Sequence, residues 1–158
     1  MITSASGDTA KPAVLLDVNV IIALLDPSHV HHERAHDWFG AFRASESGGW
    51  STCPIVENGV VRIVSNPGYP GRRATARQVA GVLRKLTAEP DHVFWMDSIS
   101  LMDEHHVELE KLSGHAQITD AYLLALAAHR GGMLATFDRR IPLSAVPQAN
   151  AETVVQLS

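Results

Sequence analysis

The sequence predicts one α/β domain, a three-layer α/β/α sandwich whose central sheet is mostly parallel. Three observations carry that expectation. Short apolar runs rich in β-branched or aromatic residues alternate with longer segments of helical period. Turn signals close several of the helical segments: Asp26-Pro27, Asn66-Pro67-Gly68 and Gly131-Gly132. The 158 residues, 46% hydrophobic and 19% charged, suit one soluble domain that buries roughly 70% of its unfolded surface.

Taken in order, residues 1–12 are expected to form a flexible polar tail and residues 13–158 the domain. Strands are expected near Val14 to Asp17, Trp50 to Cys53, His92 to Asp97, Met133 to Phe137 and Thr153 to Leu157. Helices are expected near Asn19 to Leu25, His29 to Ala44, Ile55 to Val64, Arg73 to Thr87, Asp103 to Leu112 and Asp120 to His129. No repeat, low-complexity tract or linker divides the chain.

Bulk properties exclude several classes. The apolar run around Ala121 to Ala128 is far short of the ~18 residues that a membrane span requires. The N-terminus has neither a basic n-region nor an apolar h-region, so a cytoplasmic location is expected. A single cysteine, Cys53, excludes an internal disulfide framework. The net charge of -4 lends no support to nucleic-acid binding through overall charge, although an acidic metal site counts against that total until its cation binds.

Four acids stand where an apolar segment ends or an apolar helix begins. Asp17 follows Ala13-Val14-Leu15-Leu16, and Glu57 lies in Pro54-Ile55-Val56-Glu57-Asn58-Gly59-Val60-Val61. Asp120 opens Ala121-Tyr122-Leu123-Leu124-Ala125-Leu126, and Asp138 closes Met133-Leu134-Ala135-Thr136-Phe137. Each alone is explained by a turn, an N-cap or a favourable charge in a first helical turn. Together they point elsewhere, because open parallel sheets gather sites beyond the carboxyl ends of their strands. Four carboxylates brought together there repel one another until a hard divalent cation relieves them. Such a site suits phosphodiester cleavage, in which cations polarise the phosphate, activate a water and stabilise the leaving oxygen.

Leu15-Leu16-Asp17-Val18-Asn19-Val20-Ile21-Ile22, the mid-chain Glu57, Thr119-Asp120 and Ala135-Thr136-Phe137-Asp138 resemble the ordered motifs of PIN-domain ribonucleases. The nearest branch is the VapC toxins of bacterial toxin–antitoxin pairs, and the resemblance runs from Val14 to the end. It implies a PIN-like fold and an endoribonuclease dependent on Mg²⁺, with Mn²⁺ as a substitute. Asp17 and Asp120 are then the central metal ligands, Glu57 binds metal or orients the attacking water, and Asp138 is the fourth, more variable acid. Asn19 and Thr136 match supporting polar positions. Val18 departs from the threonine often found there. The resemblance also implies a structured RNA substrate (a tRNA or a ribosomal loop), a cognate antitoxin and a homodimer; the apolar face of Val20 to Leu25 and parts of the next helices are candidate interface, and core burial explains them equally well.

Two other readings compete. His32-Glu33-Arg34-Ala35-His36 is a literal H-E-x-x-H, which on a helix would hold Zn²⁺ between His32 and His36 with Glu33 as general base of a metallopeptidase. Against it, the motif stands at the start of a polar, exposed helix and leaves Asp17, Asp120 and Asp138 unexplained. A non-catalytic binding module, in which the acids cap helices or hold a structural cation, is the third reading. For RNA contact, Arg73, Arg77 and Arg84 share a helical face by period, with Arg72 and Lys85 beside it. Arg139 and Arg140 follow Asp138 directly and stand nearer to where a phosphate would meet the metals.

Overall fold

A computed structural model describes residues 12–45 and 48–158, so nearly all of the expected tail lies outside the described residues. Five short parallel strands form one sheet in the order β3-β2-β1-β4-β5: β1 Val14–Leu16, β2 Trp50–Thr52, β3 His92–Phe94, β4 Met133–Thr136 and β5 Val154–Gln156. The central strand β1 is wholly buried, as a parallel strand flanked on both edges and covered on both faces must be.

Five α-helices cover the sheet: α1 Val18–Leu25, α2 His32–Ala44, α3 Pro54–Val64, α4 Ala76–Thr87 and α5 Ile118–His129. The first four pack in series, α2 on α1, α1 on α3 and α3 on α4, while α5 lies against β1 and β4. Right-handed crossovers explain the split. The chain moves from β1 out to β3 with α1 to α4 on one face, then returns across β1 to β4 with α5 on the other. Ala121 to Ala127 of α5 are all buried, the signature of a helix apolar on every side.

Strand order makes one position special. β1 has β2 on one side and β4 on the other, and the connections leaving β1 and β4 diverge to opposite faces. That divergence opens a crevice beyond the carboxyl ends of β1 and β4.

Two expectations need correction. Residues 103–112 do not form an α-helix; only a single 3₁₀ turn, Leu109–Lys111, appears. Asp103 Oδ1 accepts from the His105 N–H at 3.0 Å, and the Glu108 N–H donates to the Ala145 carbonyl at 2.8 Å. Backbone groups are thereby satisfied without a helix, and Val107 is the one buried side chain of residues 103–112, too little to hold an amphipathic face. Helix α4 begins after its Thr75 cap, so Arg73 precedes it and shares no helical face with Arg77 and Arg84. The apolar face of α1 is core: Val20, Ile21 and Ala23 are completely buried, and Ile22 and Leu24 nearly so. Among the described residues, no helix is long and apolar enough to cross a membrane.

The departure at Val18 is matched on the facing helix. A Cβ added at Gly59 of α3 would stand 2.8 Å from Val18 Cγ2, so the two helices meet where a β-branched side chain fits against a bare backbone. Alanine at position 59 gains about 0.8 kcal/mol of helix propensity but overpacks this contact, at a cost of about 1–3 kcal/mol. Gly59→Ala should therefore lower the urea midpoint in the parent and raise it in a Val18→Ala background.

Candidate active site at the sheet switch point

Asp17 stands immediately after β1 and caps α1. Its Oδ1 accepts from the Val18 N–H at 2.7 Å, and its Oδ2 accepts from the Thr136 hydroxyl at 2.6 Å. The residue is only 5% exposed. Thr136 ends β4, and its Oγ1 also accepts from the Asp138 N–H at 3.0 Å. One hydroxyl thus sets the spacing between two carboxylate-bearing loops. Asn19 adds a second tie, with its Oδ1 accepting from the Phe137 N–H at 3.4 Å. Asn19 and Thr136 thus tie the chain after β1 to the chain after β4, beside Asp17 and Asp138.

Asp120 occupies the first turn of α5, whose N-cap is Gln117 rather than Thr119 or Asp120. Its carboxyl is pushed up to about 7, first by burial and then by the charges of Asp17 and Asp138, with a hydrogen bond to Asp138 favouring its protonated form. Burial also raises Asp17, against the lowering effect of its bonds to Thr136 and Val18, and Asp138 adds to the rise. Three acids from three separate elements therefore sense one another at the crevice. Among the described residues, none of them is paired with a basic side chain.

Glu57 is placed differently. Its Oε1 accepts from the Thr52 hydroxyl at 2.8 Å, and Thr52 Oγ1 in turn meets His92 Nε2 at 2.8 Å. Because Thr52 gives its single proton to Glu57, His92 is the donor in the second bond. Glu57 faces a depression that adjoins the one containing Asp17 and Asp120, the two sharing Pro54 and Asn58.

Two residues of the central depression escaped the sequence reading. Asp97 lines it beyond the carboxyl end of β3, and Arg62 lines it from α3. The signal for Asp97 was available, since it closes the expected strand just as Asp17 and Asp138 close theirs. Tyr122 lies beside it with a buried hydroxyl; burial and the neighbouring Asp97 carboxylate push the phenol above its usual range. Cys53 is buried, and burial pushes its thiol up to about 11, so it stands in the core as a neutral thiol.

The H-E-x-x-H histidines serve α1. His32 Nδ1 lies 2.7 Å from the Ala23 carbonyl and His36 Nε2 lies 2.9 Å from that of Leu24. Both rings thus satisfy carbonyls that the last turn of a helix leaves without partners. The two rings meet edge to face at 4.4 Å. One nitrogen of each ring is spent on a carbonyl, and among the described residues no third His, Cys, Asp or Glu joins the pair to complete a metal site, so the two histidines form a helix clamp rather than the zinc centre of a metallopeptidase. Arg140 lines the depression that holds Asp120 and Asp138, and its N–H donates to Asp138 Oδ1 at 2.9 Å. Arg73, Arg77 and Arg139 line none of these three depressions.

All of the gathered donors are carboxylate oxygens, the set that a hard divalent cation takes. Among the described residues, no three His, Cys, Asp or Glu side chains are drawn together closely enough to hold a metal ion as they stand. Burial raises both Asp17 and Asp120, and the charges of Asp17 and Asp138 add to the rise at Asp120, so repulsion between carboxylates is concentrated at this crevice.

Residues 14–147 match the family model described as PIN domain. Ribonuclease VapC44 of Mycobacterium tuberculosis is 41% identical over 143 residues, spanning 90% of this chain and 98% of that protein. Ribonuclease VapC39 of the same organism is 43% identical over 131 residues, spanning 83% and 92%. The crystal structure of M. tuberculosis VapC20, described as a sarcin–ricin loop cleaving toxin, superposes with a TM-score of 0.56 over 87% of this chain and 99% of that one, at 13% identity. That likeness concerns the fold.

The raised carboxyls give stability a definite pH dependence. A carboxyl shifted from 3.8 to about 7 favours the folded state while protonated, and this contribution disappears as pH rises through that window. In EDTA the melting temperature of the parent relative to Asp120→Asn, a difference that cancels the opposing contributions of His29 and His92, should fall between about pH 4 and about pH 7. Added Mg²⁺ should raise it more at about pH 8 than at about pH 5, because only the ionised acids bind the cation. A flat profile with no Mg²⁺ effect would mean that the three carboxylates do not crowd one another.

Proposed function

The chain belongs to the PIN domain family, and from that premise we propose that Asp17, Asp120 and Asp138 form the divalent-metal centre of an endoribonuclease. It is a ribonuclease of the VapC kind, the toxin of a toxin–antitoxin pair. The observation that carries the site assignment is the electrostatic cost of the crevice: three acids crowd together with no basic partner among the described residues, and Asp120 is raised to about 7. A binding module whose acids only cap helices has no use for that cost. Asp17 caps α1, but capping does not require Asp138 and Asp120 beside it.

The roles follow from the bonds. Thr136 holds one oxygen of Asp17 and the Val18 N–H holds the other, so this carboxylate presents its remaining lone pairs in a fixed direction. Asp120 enters from the far side of the crevice on the first turn of α5, and Asp138 is set by its N–H bond to Thr136. Mg²⁺ held by these residues would supply positive charge to the scissile phosphate and acidity to the attacking water. Hydrolysis forms a new P–O bond from that water and breaks the bond to one ribose oxygen. Glu57 stands one wall away as the outer acid, with its orientation fixed by Thr52. The partners on this reading are a structured RNA (a tRNA or ribosomal loop), together with a cognate antitoxin and a second copy of the chain.

Cleavage of total bacterial RNA by the purified protein tests the assignment. Discrete fragments should appear with Mg²⁺ and vanish with EDTA. Asp17→Asn and Asp120→Asn should each lose more than about 100-fold, and Thr136→Val about 10–100-fold, the range typical of residues that orient ligands. Asp120→Asn should also raise the melting temperature in EDTA, because it removes the repulsion along with the function. Full cleavage by the two Asn variants would place the chemistry elsewhere.

A further inference from the structure

Three adjoining depressions run along the carboxyl edge of the sheet, and each contains one arginine. The central one holds Asp17, Asp120 and Arg62. On one side it shares Pro54 and Asn58 with a depression containing Arg84. On the other it shares Asp120 with a depression containing Asp138 and Arg140. All three arginines are exposed.

Among the described residues, the guanidinium groups of Arg62, Arg84 and Arg140 make no hydrogen bond or salt bridge. Arg43, by contrast, is committed to Glu89 and Asp91. Local structure keeps the three in place: Arg62 and Arg84 stand in the last turns of α3 and α4, and Arg140 follows the turn closed by its N–H bond to Asp138. Cations that flank an acidic centre without pairing to it are suited to an anion longer than the centre itself.

The central depression also has an apolar wall. Ile55 and Ile63 line it, each 36% exposed, on the outer side of a helix whose buried face is Val56, Gly59 and Val60. Neither side chain belongs to the buried core, and a flat apolar ligand would cover the part of each that is exposed.

We infer that the row is a track for an unpaired RNA strand, with Arg84, Arg62 and Arg140 taking backbone phosphates and a splayed base resting on Ile55 and Ile63. This inference rests on the ribonuclease reading and gives that site its substrate-positioning residues. The apolar wall decides between strand and duplex. An unpaired strand exposes the faces of its bases, whereas a duplex keeps them stacked inside and offers only sugar, phosphate and base edges. Arg73 and Arg77, of the stripe expected from sequence, lie outside all three depressions.

The test is RNA binding measured in the Asp120→Asn background, where cleavage is blocked and repulsion reduced. The probes are a fluorescein-labelled single strand of about 12 nucleotides and a duplex of about the same length, titrated over a range of salt. Arg62→Gln, Arg84→Gln and Arg140→Gln should each weaken single-strand binding about fivefold or more and lower the slope of log K against log salt by about 0.7. Ile63→Ser should weaken the strand with the slope unchanged. Arg73→Gln and Arg77→Gln serve as controls and should alter neither, and unchanged melting temperatures would show that every variant folds. Slopes unaffected by the three track arginines, equal losses at Arg73 and Arg77, or duplex binding as tight as strand binding would each overturn the track. Cleavage by the parent protein reports separately: arginine-dependent binding without any Mg²⁺-dependent cleavage would remove the nuclease reading and leave the track standing.

Discussion

The bond from the Thr136 hydroxyl to Asp17 Oδ2 spans 119 residues of sequence and 2.6 Å of space, and the site is organised around it. It joins the carboxyl ends of β1 and β4, the two strands whose connections diverge to opposite faces of the sheet. The same oxygen of Thr136 receives the Asp138 N–H, so one buried hydroxyl fixes both the first acid and the loop that carries the last. Buried polar groups are costly unless satisfied, and this arrangement satisfies two donors and two acceptors together.

Around that hinge point the protein accumulates charge that it does not neutralise. Burial and mutual repulsion raise Asp17 and Asp120, and a sequence selected for stability alone would replace one of them with an amide. The compensation lies nearby, in the uninterrupted apolar α5 and the fully buried β1. That well-packed floor carries the element ends from which Asp17, Asp120 and Asp138 reach the crevice. Local strain in exchange for chemistry is a common feature of functional sites; here the strain is electrostatic.

His32-Glu33-Arg34-Ala35-His36 shows how a short motif misleads. Its residues have the spacing and the helix that a zinc site needs, since α2 begins at His32. What decides its role is the neighbour. Docked against the end of α1, the two rings find the Ala23 and Leu24 carbonyls and cap them. Glu57 offers the complementary lesson, because its place in α3 was foreseen while its Thr52 and His92 partners were not. Both outcomes depend on contacts between segments far apart in the chain.

The sequence by itself determined the alternation of strands and helices, the buried character of β1 and α5, and the placement of Asp17, Asp120 and Asp138 at element ends. Those properties follow from local period, turn chemistry and hydrophobic burial, each legible within a dozen residues. It overreached at residues 103–112, where helix-compatible residues form no helix because they bury almost nothing. Only the tertiary structure decided which acids face one another, that Asp97 and Arg62 share their depression, and that Arg84, Arg62 and Arg140 fall along one edge while Arg73 and Arg77 do not. Strand order supplies the reason. Placing β4 beside β1, with over a hundred residues between them in sequence, is a choice of topology, and the approach of one carboxylate to another follows from that choice.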